Sequence, residues 1–406
     1  MAADEGFEVV GLGARGDGIA ETAEGPRYLP FALPGERVRV DGTGLPQLLS
    51  APSPERRAPR CRHFGVCGGC VAQHMGERLY ADWKRGILED ALRKRGLRPE
   101  LEPLRAIAAA SRRRAVMTGR CLEEGSLLGY HPRDSDAVFE VLECPVLVPQ
   151  IVAALPALRA IVAAAGQREV RLTVLATPAG LDVAVASSRA LDAKLAARLA
   201  QIAAAERRLV RVTLDGETVS QRLPPALTFA GVEVCPPPGA FVQAVAEAES
   251  AIAEEVAAAT AKVHRAADLF CGVGTLTFHL ARAAAVAAFD SDAAAVKALQ
   301  LAARHAKGLK PIEAKVRDLM REPLSARELD GFDAVVFDPP RAGAMAQAGA
   351  LARSRVPIVV AVSCYPGTLA RDLRILVDGG YRLQRVVPID QFLFSAHVEA
   401  VAYLRR

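Results

Sequence analysis

Aromatic residues are scarce in this chain: one Trp, six Tyr and 13 Phe make up 5% of 406 residues. Alanine is abundant instead, so its helices are expected to be slim. The opening stretch MAADEGFEVV is acidic and has no apolar core, which argues against a signal peptide. A long unbroken apolar run is missing too. The most apolar stretch, Val148 to Gly166, is interrupted by Pro149, Pro156 and Arg159, and reads as a helix packed on protein rather than a membrane span. Internal repeats and low-complexity tracts are lacking beyond the alanine bias. With both targeting signals missing, the expected location is the cytoplasm, with no membrane partner.

What is present is a globular composition, 51% hydrophobic and 24% charged. The length exceeds one ordinary core, so two or three domains are expected. The net charge of +5 is unevenly spread, because residues 51–120 hold 16 Lys+Arg against 7 Asp+Glu, a local excess of 16 − 7 = +9. Such a stretch suits a phosphate backbone, including the triplet Arg112, Arg113 and Arg114. The plainer reading is a solvated helix face over Trp83 to Arg98.

Residues 1–52 alternate short β-like runs (Phe7 to Leu12, Arg37 to Val40) with Gly-rich turns, as a small β-barrel would. Residues 53–238 read as a mixed α+β central domain. A cysteine loop leads to a basic helix near 77–95, followed by strands at 113–121 and 137–142 and a helix at 148–164. Strands at 169–175 and 181–186, a helix at 190–205, and strands at 209–214 and 227–234 complete it. Pro236-Pro237-Pro238-Gly239 marks the next boundary. Residues 239–406 then alternate helix and strand at a spacing that implies a doubly wound, Rossmann-like α/β sheet. The runs Tyr381 to Pro388 and Val398 to Leu404 are expected to close it as an antiparallel edge hairpin.

Within the last region, Asp268-Leu269-Phe270-Cys271-Gly272-Val273-Gly274-Thr275 runs from strand to helix through two glycines, which lets a ligand approach the backbone. Asp290 ends the next strand, where a carboxylate can accept hydrogen bonds from a ribose. A nicotinamide dinucleotide site would have a third Gly or Ala where Thr277 stands. Asp268 before the glycines suits a ligand bearing an ammonium group. S-adenosylmethionine is therefore the favoured cofactor.

Asp338-Pro339-Pro340-Arg341 and Val362-Ser363-Cys364-Tyr365-Pro366 each follow a strand, so both lie at carboxyl ends beside that turn. A thiolate at such a place can add to carbon 6 of uracil and turn carbon 5 into a nucleophile for a sulfonium methyl group. A base must then take the carbon 5 proton, and Asp390, His397 and Glu399 are the candidates. His397 and Glu399, two apart on a strand-like run, should share a face. An isolated strand-end cysteine is more often buried and inert, as Cys235 and Cys271 are expected to be.

Cys61, Cys67 and Cys70 have the spacing C-x5-C-x2-C on a loop with Gly65, Gly68 and Gly69. Without a secretory signal a disulfide scaffold is disfavoured. Zinc, with His63 or His74 as a further ligand, and an iron–sulfur cluster both remain open on spacing alone.

The order DLFCGVGTLTF, DPPR, SCYPGTLARD and HVEAV resembles the bacterial RNA 5-methyluridine methyltransferases. The cysteine loop and small barrel resemble their iron–sulfur branch acting on 23S ribosomal RNA. VGLGARGDGIA through LPGERV is similar to that family's N-terminal TRAM domain, an OB-like RNA-binding barrel. The resemblance implies Cys364 as nucleophile, Glu399 as base and Gln243 as a cofactor-binding residue with Phe241 its aromatic neighbour. It puts Phe270 and Thr275 beside S-adenosylmethionine, Asp290 at its ribose, Asp318 at its adenine side and Asp338 between cofactor and uracil. It also makes Cys144 the fourth ligand of a [4Fe-4S] cluster with Cys61, Cys67 and Cys70, whereas Cys121 has no match. Thr275 and Asp318 stand where the family commonly has Asn, and Tyr365 where SCNP would give Asn, which leaves room for an altered substrate. Barrel and cluster argue against the transfer RNA branch, whose resemblance is expected to stop at the centre and C-terminus. The implied partner is RNA, bound by a monomer.

Overall fold

The computed structural model describes residues 6–42, 46–166, 168–187 and 190–406, so Met1–Glu5 of the acidic opening stretch lie outside the described residues. An eight-stranded sheet dominates the C-terminal part. Its spatial order is Ile312–Val316, Ala285–Asp290, Arg265–Leu269, Ala334–Phe337, Ile358–Ser363, Glu399–Arg405, Arg382–Ile389 and Glu100–Leu101. The first five strands run parallel and Glu399–Arg405 is antiparallel to its neighbours on both sides.

The strand sequences explain this core. Val335, Phe337, Val359 and Ala361 pack on one layer, with Leu351, Leu369 and Leu373. Ala334, Val336, Val360 and Val362 pack on the other, with Ile252, Val256 and Leu280. Alternate side chains thus reach opposite helix layers, and a strand covered on both faces becomes a continuous apolar run. The chain leaves Arg265–Leu269 towards one edge and returns to Ala334–Phe337 on its other side. That reversal opens a crevice at the carboxyl ends of the two strands.

The helix Glu77–Arg93 forms where the basic helix is expected, but its buried Leu88 and Leu92 join the C-terminal core. The closing hairpin also forms and is not the edge of the sheet. Glu100–Leu101 pairs in parallel with Arg385 and Val386, covering main-chain groups that would otherwise be open to another chain.

Two further elements differ from expectation. The helix read over 148–164 is two helices, Pro149–Ala153 and Leu155–Ala165, separated at Ala154. Pro156 has no N–H to continue the first helix, and its ring would crowd the carbonyl four residues before. The strand read over 227–234 is a hairpin of Leu227–Phe229 and Val232–Val234. Its turn uses Ala230 (φ 51°) and Gly231 (φ 84°), the left-handed pair that matches strand twist. The two helices lie beside a seven-stranded central sheet from Phe139–Glu140 to Glu217–Gln221, whereas the hairpin packs on the helices Thr275–Leu280 and Ala293–His305. Near the N-terminus, two three-stranded antiparallel sheets close on Val9, Ala20, Leu29, Ala32 and Val38. Among the described residues no helix is long and apolar enough to cross a membrane.

Candidate active site

The crevice at the strand reversal is a cavity of about 590 Å³ lined by Gln243, Asp268, Phe270, Thr275, Asp290, Asp318, Asp338, Cys364 and Glu399, among others. One wall is the glycine turn, where Phe270 (φ 64°), Gly272 (φ 52°) and Gly274 (φ 93°) all take left-handed backbone. The two glycines serve different ends. A Cβ on Gly272 would meet nothing within 4 Å, leaving the turn open to a ligand, whereas one on Gly274 would sit 2.8 Å from the Phe278 ring and 2.9 Å from Leu299. Asp290 accepts from the Gly272 N–H at 2.8 Å and from the Asp292 N–H at 2.8 Å, which fixes its carboxylate at the end of its strand. Asp318 accepts from the Met320 N–H at 3.0 Å in a tight turn after Ile312–Val316. Thr277, in place of a third glycine, donates its hydroxyl to Asp268 at 2.6 Å. Burial pushes the Asp268 carboxyl up to about 7, with Asp338 and Asp290 adding to it.

The opposite wall carries the candidate nucleophile and the candidate base. Asp338 follows Ala334–Phe337, Cys364 follows Ile358–Ser363, and Glu399 opens the strand Glu399–Arg405. Burial, reinforced by Glu399 and Asp338 and opposed by Arg341, pushes the Cys364 thiol up to about 11. Burial pushes the Glu399 carboxyl well above the usual range, and Asp338 adds to that. Asp338 itself is raised by burial to about 7. A half-buried thiol thus faces two carboxyl groups that burial biases towards the protonated form, an arrangement suited to covalent addition followed by proton removal.

Gln243 donates from Nε2 to Asp338 at 2.8 Å. Gln391, which sequence reasoning did not single out, donates from Nε2 to both Gln243 Oε1 at 2.7 Å and Glu399 Oε2 at 2.8 Å. No local pattern distinguishes it, because its partners lie on remote segments.

The other two base candidates are engaged elsewhere. Asp390 is buried, 2.8 Å from the Lys84 ammonium, and accepts from the Tyr80 hydroxyl at 2.7 Å. His397 precedes the strand and does not share Glu399's surroundings. It lines a separate groove of about 770 Å³, and its Nε2 lies 2.8 Å from Arg341 Nη2. Burial, with Arg341, Lys84 and Arg112 adding, holds its pKa down to about 4.

The arginine triplet is also used internally, which corrects its expected role as a free phosphate grip. Arg113 pairs with the buried Glu249 at 2.6 Å and donates to the Gln243 carbonyl, tying the central sheet to the cavity wall. Arg112 donates to the Arg114 carbonyl. Arg114 donates to the Ala240 carbonyl and lies 5.5 Å over the Phe241 ring. Phe241 is 68% exposed at the cavity mouth. Exposed Lys94 and Arg95 line the 770 Å³ groove with Tyr365 and with Arg15, which is paired to Asp134 at 3.0 Å.

Cys61, Cys67, Cys70 and Cys144 are neighbours. The loop bearing the first three meets Leu142 and Glu143 through His63 Nε2, which accepts from the Leu142 N–H, and through an Arg62–Glu143 pair. Burial raises the thiols of Cys67, Cys70 (to about 12) and Cys144, and charge on the neighbouring thiols raises each further. Even so, among the described residues no group of three or more His, Cys, Asp or Glu side chains is placed to hold a metal ion. His74 is buried between Phe31 and Phe64. Cys121 donates to the Val162 carbonyl. Cys271 is buried as expected, whereas Cys235 is exposed because its hairpin strand ends at the surface.

The family model for tRNA (Uracil-5-)-methyltransferase matches residues 182–406. An uncharacterized RNA methyltransferase of Rhizobium meliloti is 48% identical, over 97% of this chain and 98% of its own. The 23S rRNA (uracil(1939)-C(5))-methyltransferase RlmD of Chromohalobacter salexigens is 33% identical, over 100% of this chain and 90% of its own. The tRNA (uracil-54, C5)-methyltransferase of Pyrococcus abyssi, solved with S-adenosyl-L-homocysteine, shares the fold at a TM-score of 0.75 and 20% identity, covering 99% of this chain and 100% of that one. The family model named for transfer RNA enzymes thus covers the end of the centre and the C-terminus, where the resemblance was expected, while the fold of the Pyrococcus abyssi protein extends over the whole chain. This chain belongs to the RNA (uracil-5-)-methyltransferase family, as an enzyme of that class.

Proposed function

We propose that this enzyme methylates carbon 5 of one uridine in 23S ribosomal RNA, using S-adenosylmethionine and a covalent bond from Cys364 to carbon 6. The observation that carries the reading is the shared cavity, in which the glycine turn, Asp290, Asp318, Asp338, Cys364 and Glu399 meet. S-adenosylmethionine, when bound, supplies an electrophilic methyl group. Phe270 and Thr275 would flank it, Asp290 would accept from its ribose, Asp318 would hold its adenine side, and Gln243 and Asp338 would lie between it and the base. The target uridine leaves its stack to reach this site. Cys364, as its thiolate, bonds carbon 6 through Sγ, carbon 5 takes the methyl group as S-adenosylhomocysteine leaves, Glu399 removes the carbon 5 proton, and the carbon 6–sulfur bond breaks to return the thiolate. The high pKa of the Cys364 thiol falls as Glu399 and Asp338 take up protons, so thiolate formation and protonation of the wall are linked.

The N-terminal sheets act as a TRAM-like RNA-binding barrel in residues 1–52, followed by a central domain to 238 and the methyltransferase domain from 239. Arg15, Lys94 and Arg95 guide the phosphates along the neighbouring groove. Four soft sulfur donors brought together from two segments suit a thiophilic metal group, and we assign Cys61, Cys67, Cys70 and Cys144 to a [4Fe-4S] cluster that pins the loop to the central domain. The protein works as a monomer in the cytoplasm.

A second reading, the same chemistry on transfer RNA, is favoured by the end-to-end match to the Pyrococcus abyssi enzyme. Mass mapping of ribosomal and transfer RNA from cells lacking the gene decides between them. Loss of one 5-methyluridine from 23S RNA supports the first reading, and loss from transfer RNA alone overturns it.

A further inference from the structure

We propose that Gln391 is a positioning residue that holds one oxygen of Glu399 still and leaves the other free to take the carbon 5 proton. The inference rests on the reading of Glu399 as the base.

Gln391 is 2% exposed, on the loop between Arg382–Ile389 and Glu399–Arg405. Its amide nitrogen carries two hydrogens and both are used, one on Gln243 Oε1 and one on Glu399 Oε2. The orientation of that amide is not arbitrary. Gln243 gives its own nitrogen to Asp338, so it turns its oxygen towards Gln391, which must answer with a donor. A continuous side-chain chain therefore runs from Asp338 through Gln243 and Gln391 to Glu399. Two buried oxygens of these side chains, Glu399 Oε1 and Gln391 Oε1, make no hydrogen bond, and of the two residues Glu399 is the one that lines the cavity. One carboxylate oxygen is tethered and the other is open, which is the division a base needs when it must meet one proton on a crowded carbon.

The loop is fastened on both sides of Gln391. Asp390 is paired with Lys84 and Tyr80, Lys84 also donates to the carbonyls of Phe392 and His397, and the Phe394 N–H donates to the Tyr80 hydroxyl at 2.9 Å. The helix Glu77–Arg93 thus fixes the backbone that presents Gln391.

The groups facing Glu399 set the sign of its pH response. Burial raises its pKa, Asp338 adds to that from the end of Ala334–Phe337, and Gln391 lowers it. Cys364 and Arg341 lie on the same cavity wall. On its own loop, His397 is turned to Arg341 and Asp390 is paired with Lys84. Removing the Gln391 donor therefore raises the Glu399 pKa, and proton removal moves to higher pH.

The test compares wild type, Gln391→Met, Gln391→Glu and Glu399→Gln on bulk RNA from cells lacking the gene, with labelled methyl donor. Formation and decay of the protein–RNA adduct are followed on denaturing gels across the neutral pH range. Gln391→Met should form the methylated adduct at close to the wild-type rate and release it on the order of 10²-fold more slowly, since a small misplacement of a reacting group costs about that much. Its release profile should move to higher pH, and that of Gln391→Glu further, because a second carboxylate then faces the first. Wild-type release and an unmoved profile in both variants, with the adduct trapped in Glu399→Gln, overturn the role of Gln391 alone. Normal release by Glu399→Gln overturns the base reading and the inference with it. Loss of adduct formation in both Gln391 variants assigns the residue to packing and likewise overturns the proposal.

Discussion

Lys84 has no exposed side-chain surface, yet it carries an ammonium group into the junction between the helix Glu77–Arg93 and the loop that precedes Glu399. Its nitrogen lies 2.8 Å from Asp390 and donates to the carbonyls of Phe392 and His397. Lys84→Met keeps most of the volume and removes the charge. Asp390, 1% exposed, is then left with the Tyr80 hydroxyl as its partner among those groups. Stranding one member of a buried pair costs about 3–5 kcal/mol, and the two carbonyls lose their donor as well. Neutralising the stranded acid should recover part of this, so Lys84→Met with Asp390→Asn is expected to be about 2 kcal/mol more stable than the sum of the single changes predicts. The single tryptophan of the chain offers the assay. Trp83 precedes Lys84, is buried, and donates from its indole to the Gly13 carbonyl at 2.9 Å, so its fluorescence reports whether this helix stays docked. Urea transitions read through Trp83 give the four corners of the cycle. A Lys84→Met cost under about 1 kcal/mol, together with no coupling to Asp390, would refute the reasoning.

Other outcomes follow from the cavity and the cysteine loop. Cys364→Ala should abolish both adduct and product, Glu399→Gln should accumulate a methylated protein–RNA species that survives denaturation, and His397→Ala should not; denaturing gels with labelled methyl donor read all three. Alkylation of Cys364 in the free enzyme, followed by peptide mass mapping, should keep accelerating as pH rises towards about 11. It should be faster at neutral pH in Glu399→Gln, because removing that carboxylate lowers the cost of the thiolate. Gly274→Ala should destabilise the fold by about 1–3 kcal/mol through its left-handed backbone and the Phe278 contact, measured by thermal melting. Gly272→Ala should instead weaken S-adenosylhomocysteine binding in calorimetry, since its Cβ points into open space beside the cavity. Protein purified without oxygen should be brown with about four irons per chain, and a colourless protein with one zinc would sink the cluster assignment.

The parallel sheet was legible because its strands, covered on both faces, are short runs of Val, Ala and Phe separated by helical periods. That these candidate residues share one cavity was legible for a related reason. Asp268, Asp290, Asp338 and Cys364 stand at or just past strand ends, so each is marked locally by the apolar run before it, and the fold needs only to align those ends to bring them together. Where a turn is hidden inside a β-like pattern the reading failed. Leu227 to Val234 looks like one strand, and only the left-handed Ala230–Gly231 pair breaks it. The arginine triplet misled in the opposite way, since three adjacent cations suggest a surface while Arg113 meets the buried Glu249, 136 positions on.

The same distance problem hid the supporting structure of the base. Glu399 could be picked out from a short run near the C-terminus, but what holds it could not. Gln391 reaches Gln243 across 148 positions, and Lys84 reaches the Phe392 carbonyl across 308. Neither residue is special by type, and each becomes significant only through burial beside a group of matching polarity. An unpaired amide N–H or ammonium in such a place would cost the fold several kcal/mol, and the donors of both residues are used. The acceptors are not: Gln391 Oε1 and Glu399 Oε1 are both left without a hydrogen-bond partner, and of the two residues Glu399 lines the cavity. An unpaired acceptor at the cavity wall is what the proposed base needs, since a carboxylate can take a proton only through an oxygen that no donor already holds.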